Sequence, residues 1–321
     1  MLKHPVLLLT LLASFVLTLA GCGAEEEAAA PETGTEAETA YTVEHAMGST
    51  TIEGTPEKVV VLTNHGTEAL LSMGITPVGA VQSWTGDPWY DHITDEMEGV
   101  EVVGTESDIS LEAIAALDPD LIIGNKMRQE EHYQALTDIA PTVFEETLRG
   151  DWKVNYELIA QAVGQEEKGA EVLAAYDERI RSLSTELEEA GKLDTKVSMV
   201  RFMPDDVRIY HKDSFSGIIL DEIGLARPES QDVPDFAAKG VTKERVPEMD
   251  GDVIFYFTYE PAEGGGQQVE DEWINDPLWN NLEAVKAGNA YEVSDTIWNT
   301  AGGVKAANLM LDDLEAKLLS E

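Results

Sequence analysis

The chain has 321 residues and a formal net charge of −41, from 62 acidic and 21 basic residues. That balance argues against nucleic acid as a partner, because phosphate contacts need a basic surface. The acid is spread along the whole chain and reads as a solvated surface suited to a salty or alkaline exterior, and no spaced Asp/Asn/Glu loop of the calcium-binding type is present.

The chain opens with Lys3 and His4, then an uncharged apolar stretch from Val6 to Ala20, then Gly21 and Cys22. This is the layout of a secretory signal, and the run is short of the roughly 20 residues that span a bilayer. Leu19-Ala20-Gly21-Cys22 resembles the lipobox of bacterial lipoproteins, which implies lipidation of Cys22 and a mature chain running from Cys22 to Glu321. With its only cysteine lipidated, the folded part has no disulfide and depends on ordinary cores. Residues 23–40 hold no aliphatic side chain larger than alanine and no basic residue, so they read as a disordered acidic tether. As a flexible coil it reaches roughly 25 Å.

From Tyr41 the pattern is α/β. Strands are predicted at 58–63, 78–81, 120–124 and 142–144, with helices at 66–73, 111–117 and 129–139. Apolar runs of four to six residues alternating with helices point to mainly parallel sheets. A longer helix is predicted over 165–190, where Val172, Leu173, Tyr176, Ile180, Leu183 and Leu187 recur at helical spacing before Gly191. It would span roughly 39 Å. Then follow strands at 196–203 and 207–210 flanking Pro204-Asp205-Asp206 as a hairpin, and a helix at 215–223 stopped by Gly224. A buried strand at 252–257, an interrupted helix at 270–282, a strand at 290–293 and a closing helix at 304–319 complete the chain. The run Leu117-Asp118-Pro119-Asp120-Leu121-Ile122-Ile123 is echoed by Met249-Asp250-Gly251-Asp252-Val253-Ile254-Phe255. Placed about one long helix, the echo suggests two similar lobes joined by a rigid spine.

Enzyme signatures are missing: there is no Gly-x-Ser-x-Gly elbow, phosphate loop, His-Glu-x-x-His or Gly-x-Gly-x-x-Gly. The Gly264-Gly265-Gly266 run reads as a flexible surface loop. The histidines of the mature chain, His45, His65, His92, His132 and His211, are not paired at metal-ligand spacing; His65 and His211 follow strands, where α/β clefts form. The scarce basic residues are more telling. Lys126 and Arg128, Arg201, and Arg208 with Tyr210, His211 and Lys212 sit near predicted strand ends, where an anionic or oxygen-rich ligand would need them. Salt bridging to the abundant acid is the alternative for any one of them. Trp298, in a polar glycine-rich turn, has no strong core pattern around it and reads as ligand-facing, whereas Trp279 reads as core.

The segments LEAIAALDPDLIIGNKMR (111–128), VRIYHKDSF (207–215), DVIFYFTYE (252–260), DPLWNNLEAVKAGNAYEV (276–293) and IWNTAGGVKAANLMLDDL (297–314) resemble the substrate-binding lipoproteins of ABC transporters for iron–siderophore complexes. The likeness is to the Gram-positive hydroxamate and citrate-hydroxamate type. The resemblance implies a helical-backbone periplasmic-binding-protein fold: two α/β lobes bridged by one long helix, with the ligand in the cleft between them. The divisions expected are a signal peptide at 1–21, a tether at 22–40, an N-terminal lobe at 41–164, the spine at 165–191 and a C-terminal lobe at 192–321. By position it makes Arg128, Arg201, Arg208, Tyr210, His211 and Trp298 ligand contacts, with Lys126 and Trp84 as further candidates. Successive strand residues face opposite ways, so the hairpin residues cannot all reach the cleft. The resemblance also implies one surface acid per lobe for docking on the permease, matched by Glu68 and by Asp221 or Glu222.

The expected function is a lipid-anchored, extracytoplasmic receptor, not an enzyme, that captures a ferric siderophore and presents it to an ABC permease. It would be a monomer without a cofactor or protein-borne metal site, because the siderophore's own oxygens fill the ferric coordination sphere. Ferric citrate, haem or a cobalamin on the same fold, a lipid-anchored hydrolase, and direct zinc or manganese capture are the alternatives.

Overall fold

The computed structural model describes residues 40–148 and 150–319; the signal segment, Cys22 and the tether up to residue 39 lie outside the described residues. Strands β1 (Tyr41–His45) and β2 (Gly48–Ile52) form an antiparallel hairpin that was not predicted. The run KVVVLT gives β3 (Val59–Val61), and α1 (Asn64–Ser72) starts where Thr63 Oγ1 accepts a hydrogen bond from the Gly66 amide. Short strands β4 (Gly79–Ala80), β5 (Glu101–Val102), β6 (Gly104–Thr105) and β7 (Asp108–Ile109) lead to α2 (Leu111–Ala116) and the fully buried β8 (Leu121–Asn125).

The helix predicted over 129–139 is instead α3 (Lys126–Gln129), a 3₁₀ turn and α4 (Tyr133–Thr137). Asn125 starts α3 early by accepting from the Met127 amide at 2.9 Å. After β9 (Thr142–Glu145) the first sheet is complete, in the order β5-β4-β3-β8-β9 with every pair parallel.

Helix α5 (Trp152–Ala162) was not predicted; its inward face includes the polar Asn155, which blurs the apolar repeat. Helix α6 (Glu166–Glu189) is the predicted spine, 24 residues or roughly 36 Å long. It buries Gly169, Leu173, Tyr176, Ile180, Leu183 and Leu187, one stripe at three- and four-residue spacing.

The second sheet follows. Strands β10 (Val197–Met203) and β11 (Asp206–Tyr210) form the predicted hairpin, and α7 (Phe215–Ile223) ends at Gly224, whose φ of 87° is left-handed. Then come β12 (Ala237–Ala238), β13 (Val253–Thr258), α8 (Gly266–Ile274), α9 (Glu283–Ala287), β14 (Ala290–Glu292) and α10 (Val304–Leu318). The order is β12-β11-β10-β13-β14, parallel across β10, β13 and β14 and antiparallel on the hairpin side. The glycine run is no free loop: Gly264 and Gly265 have φ of 80° and 108°, and Gly266 begins α8, which stops at Ile274 ahead of Pro277.

The sequence echo has a physical basis. Asp120 accepts the Glu57 and Lys58 amides at 3.0 Å each, and Asp252 accepts the Lys196 amide at 2.8 Å. Each acid sits just before a central strand and ties down the start of the parallel neighbour, β3 or β10. One continuous core joins the two sheets: Val59, Val61, Leu121 and Ile123 of the first share it with Val197, Met199, Phe255 and Phe257 of the second. The spine supplies Leu173, Tyr176 and Ile180 to that core, and α10 supplies Met310 and Leu314. Lys153 of α5 pins the lobes further, reaching Asp177 on the spine at 2.7 Å and Glu222 on α7 at 2.6 Å.

Candidate ligand-binding site

A cavity of about 420 Å³ is lined from both lobes. The first lobe contributes the segments that follow β3, β4, β6, β8 and β9: His65, Trp84, Glu106, Arg128, and Trp152 with Asn155 at the start of α5. Strands β3, β4, β8 and β9 are parallel, so their C-terminal ends open on one edge, where α/β proteins place their ligands. The second lobe contributes the β10–β11 hairpin, Tyr259, and the turn from Asn299 to Gly302.

The hairpin register settles which of its residues reach the cavity. Arg201 lies opposite Arg208 in the ladder, so the two share a face, and Met203 and Tyr210 fall on that face by the two-residue alternation. Like charges directly opposite destabilise a ladder; here each has its own carboxylate. Asp295 takes Arg201 in a bidentate grip, Nε–Oδ1 2.6 Å and Nη2–Oδ2 3.0 Å, with both side chains buried. Asp206 accepts from Arg208 Nε at 2.7 Å. Burial works against the charge on Arg201, but Tyr210, whose hydroxyl accepts from Nη1 at 3.2 Å, and Asp295 hold it protonated above its ordinary value. Arg201 also lies 5.2 Å from the Tyr259 ring centre.

On the facing wall Arg128 is the least committed cation. It stacks over Trp84 at 5.6 Å, its Nε stands 3.7 Å from Glu106 Oε2, and it makes no hydrogen bond among the described residues. Glu106 is fixed by the Asn64 amide at 2.7 Å and side chain at 2.8 Å. His65 completes this wall with Nε2 2.7 Å from Glu145 Oε1.

Arg128, Arg201, Arg208, Tyr210 and Trp84 thus line one cavity. Three other candidates do not. Trp298 is fully buried in the core, stacked on Phe255 at 4.5 Å with Nε1 donating to Asp313 at 2.9 Å. The turn around it is polar, but its indole points into the apolar layer between β13 and α10, which no local pattern discloses. His211 follows Tyr210 and so faces the other way, with Nδ1 bonded to Asp235. Lys126 turns from the cavity to Glu146, at 2.9 Å. The cavity residues that the sequence reading missed include Glu106, Trp152, Asn155, Tyr259 and the Asn299–Gly302 turn, together with Asp295 behind Arg201. Among 62 carboxylates neither Glu106 nor Asp295 carries a local signal. Tyr259, just past a buried strand, could have been found from its strand-end position.

Of the docking candidates, Glu68 is no surface acid. It is fully buried; Oε1 lies 2.5 Å from His92 Nε2, and Oε2 accepts the Lys305 and Ala306 amides at 2.9 Å each. Those amides open α10, whose N-cap is Gly303 and has no side chain to offer; the carboxylate of α1 supplies the cap instead. A Cβ on Gly303 would stand 2.5 Å from Glu68 Oε2, so glycine is required there. Glu222 is likewise engaged, by Lys153 and by the Tyr176 hydroxyl at 2.8 Å. Asp221 remains exposed, paired with Lys212 at 2.8 Å.

Residues 59–296 match the periplasmic binding protein family model, and the chain belongs to that family. It is 48% identical to the probable siderophore-binding lipoprotein YfiY of Bacillus subtilis, across 99% of this chain and 98% of that one. It is 32% identical to the Fe(3+)-citrate-binding protein YfmC of the same organism, across 76% and 75%. The crystal structure of Staphylococcus aureus SirA complexed with staphyloferrin B superposes with a TM-score of 0.82 at 34% identity, covering 88% of this chain and 99% of SirA.

Proposed function

We propose that this chain is the extracytoplasmic binding component of an ABC importer, which captures a ferric siderophore between its lobes and delivers it to the membrane permease. The observation that carries the reading is the two-sided cavity with Arg128 on one wall and Arg201 and Arg208 on the other, among aromatic rings. Guanidinium forks held by carboxylates on one edge present their remaining N–H groups to ligand oxygens, while Trp84 and Tyr259 offer flat apolar faces. Among the described residues no three His, Cys, Asp or Glu side chains are grouped to hold a metal ion. In this reading the protein contacts the organic shell of the complex with these arginines and rings, and the siderophore supplies the iron ligands.

The charges refine the ligand class. Arg128, Arg201, Arg208 and His65 are matched by Glu106, Asp295, Asp206 and Glu145. Each of these cations keeps N–H groups free for a ligand, which suits an oxygen-rich ferric complex of hydroxamate or citrate-hydroxamate type. Tryptophan fluorescence titration with ferric aerobactin (a citrate-hydroxamate complex), ferrichrome, ferric staphyloferrin B, ferric citrate, haem and cobalamin tests this. Quenching by the first two at the lowest concentrations is the expected result. Silence toward every ferric siderophore, with tight binding of haem or cobalamin, would overturn it.

The similarity to a protein named as a lipoprotein extends over nearly the whole chain and supports a lipid anchor at Cys22, on the outer face of a Gram-positive cell membrane. The tether then holds a monomeric receptor near its permease and raises the local concentration of cargo there. Loss of membrane association in Cys22→Ala is the check. Asp221 is the acid left free enough to serve as a permease contact.

A further inference from the structure

His65 takes part in the cavity wall in a way that an ordinary core histidine does not. It is the second residue of α1, in the first turn after β3, and its side chain is 12% exposed. The exposed part lies on the ligand cavity beside Trp152, Asn155 and Gly302. Its Nε2 is held by Glu145 Oε1 at 2.7 Å, and Glu145 is fully buried, with its other oxygen accepting from Asn125 Nδ2 at 3.2 Å. The second ring nitrogen, Nδ1, makes no hydrogen bond among the described residues.

Charged groups face the ring from every side. Glu145 comes from β9, Glu106 from the β6–β7 turn and Glu68 from α1 itself; Arg128, Arg201 and Arg208 line the same cavity. Burial opposes a charge on the imidazole, but Glu145 foremost, then Glu106 and Glu68, outweigh it and raise the pKa above the ordinary 6.5. When protonated, the ring has one N–H committed to Glu145 and one left over. Of the four cavity cations it is the one able to lose its proton, since arginine stays charged.

We propose that His65 is a ligand-recognition residue of the cleft, an imidazolium that completes the arginine wall and makes the grip on an anionic ferric complex weaken as the ring loses its proton. Glu145 is its positioning residue: it fixes the ring and keeps it charged. The inference rests on the ferric-siderophore reading above.

The test is the pH dependence of ferric aerobactin affinity, followed by tryptophan fluorescence from about pH 6 to pH 9 in wild type, His65→Gln and Glu145→Gln. In the wild type Kd should rise with pH, by roughly tenfold once the ring has lost its proton, as for the loss of one charge-assisted hydrogen bond. His65→Gln should bind roughly tenfold more weakly at the acid end and show a flat profile. Glu145→Gln should keep the pH dependence with its midpoint moved to lower pH, because a carboxylate holding the proton has gone. A purely structural histidine would change the melting temperature and leave the profile alone. A wild-type profile without slope, or an unchanged slope in His65→Gln, overturns the inference by itself. Absence of ferric aerobactin binding by the wild type at every pH overturns the proposed ligand class, and this inference with it. If His65→Gln does not fold, the midpoint in Glu145→Gln decides, and an unmoved midpoint is the refuting result.

Discussion

Removing the Glu68 carboxylate should destabilise the fold rather than merely weaken a docking surface. The side chain is fully buried and serves three donors: His92 Nε2 at 2.5 Å and the Lys305 and Ala306 amides at 2.9 Å. In Glu68→Ala the two amides lose their acceptor at the start of α10, where Gly303 has no side chain to replace it. A buried donor left without a partner costs about 1–3 kcal/mol, and loss of a helix cap about 1–2 kcal/mol. These overlap, because the amides are the cap, so the expected loss is about 3–4 kcal/mol once His92 is included. At roughly 2–4 °C per kcal/mol for a domain of this size, Tm should fall by about 10 °C. Glu68→Gln keeps the volume and one acceptor oxygen and should lose about half as much. Calorimetry or circular dichroism melts of both variants, with Asp221→Ala as the exposed-acid comparison, measure this directly. A Glu68→Ala melt within about 1 °C of wild type would refute the reasoning. Such a melt, with import lost, would return Glu68 to the permease interface.

Other expectations follow from the same contacts. Arg128→Met and Arg208→Met should each weaken ferric siderophore binding by about 10- to 100-fold with little change in Tm, since among the described residues the Arg128 side chain makes no hydrogen bond and that of Arg208 bonds to Asp206 alone. Asp295→Asn should do the reverse first, destabilising the protein by about 3 kcal/mol through an uncompensated buried guanidinium, which chemical denaturation would register. Trp298→Phe should lower stability by about 1–2 kcal/mol and leave affinity within a factor of two or so, whereas Trp84→Ala should lower affinity and reduce quenching. For stability against pH, the folded pKa of His65 is raised above 6.5, so its contribution is fully present below about 6.5 and disappears as pH rises through the folded value. Melts of wild type and His65→Gln should therefore differ most at acid pH and converge on the alkaline side.

The parts of the fold that were legible from sequence are those where one element announces itself. The spine shows its stripe of six buried residues, the hairpin its two strands about Pro204-Asp205-Asp206, and α7 its glycine stop. Helix α5 and the first hairpin were hidden, because their buried faces mix polar and apolar residues and the periodic signal is diluted. At the site, Arg128, Arg201 and Arg208 stood out because positive charge is scarce in this chain. Rarity can mark a residue, but it cannot say which way the side chain points, and so Lys126 and His211 were carried along with them.

The α/β alternation, the long helix at the centre and the short stock of cations from which an anion site could be built are properties of local pattern and composition, and so they are readable along the chain. What each residue meets is set by the packing of segments far apart in the chain. The Arg201–Arg208 register sets two cations on one face, Asp295 arrives from 94 residues away to hold one of them, and Glu68 turns inward to cap a helix 237 residues further on. The same packing draws Trp298 out of the cleft and into the core. Facing direction and burial depend on which distant segments come to lie alongside, and in a chain with 62 carboxylates no local pattern distinguishes the few that the fold buries.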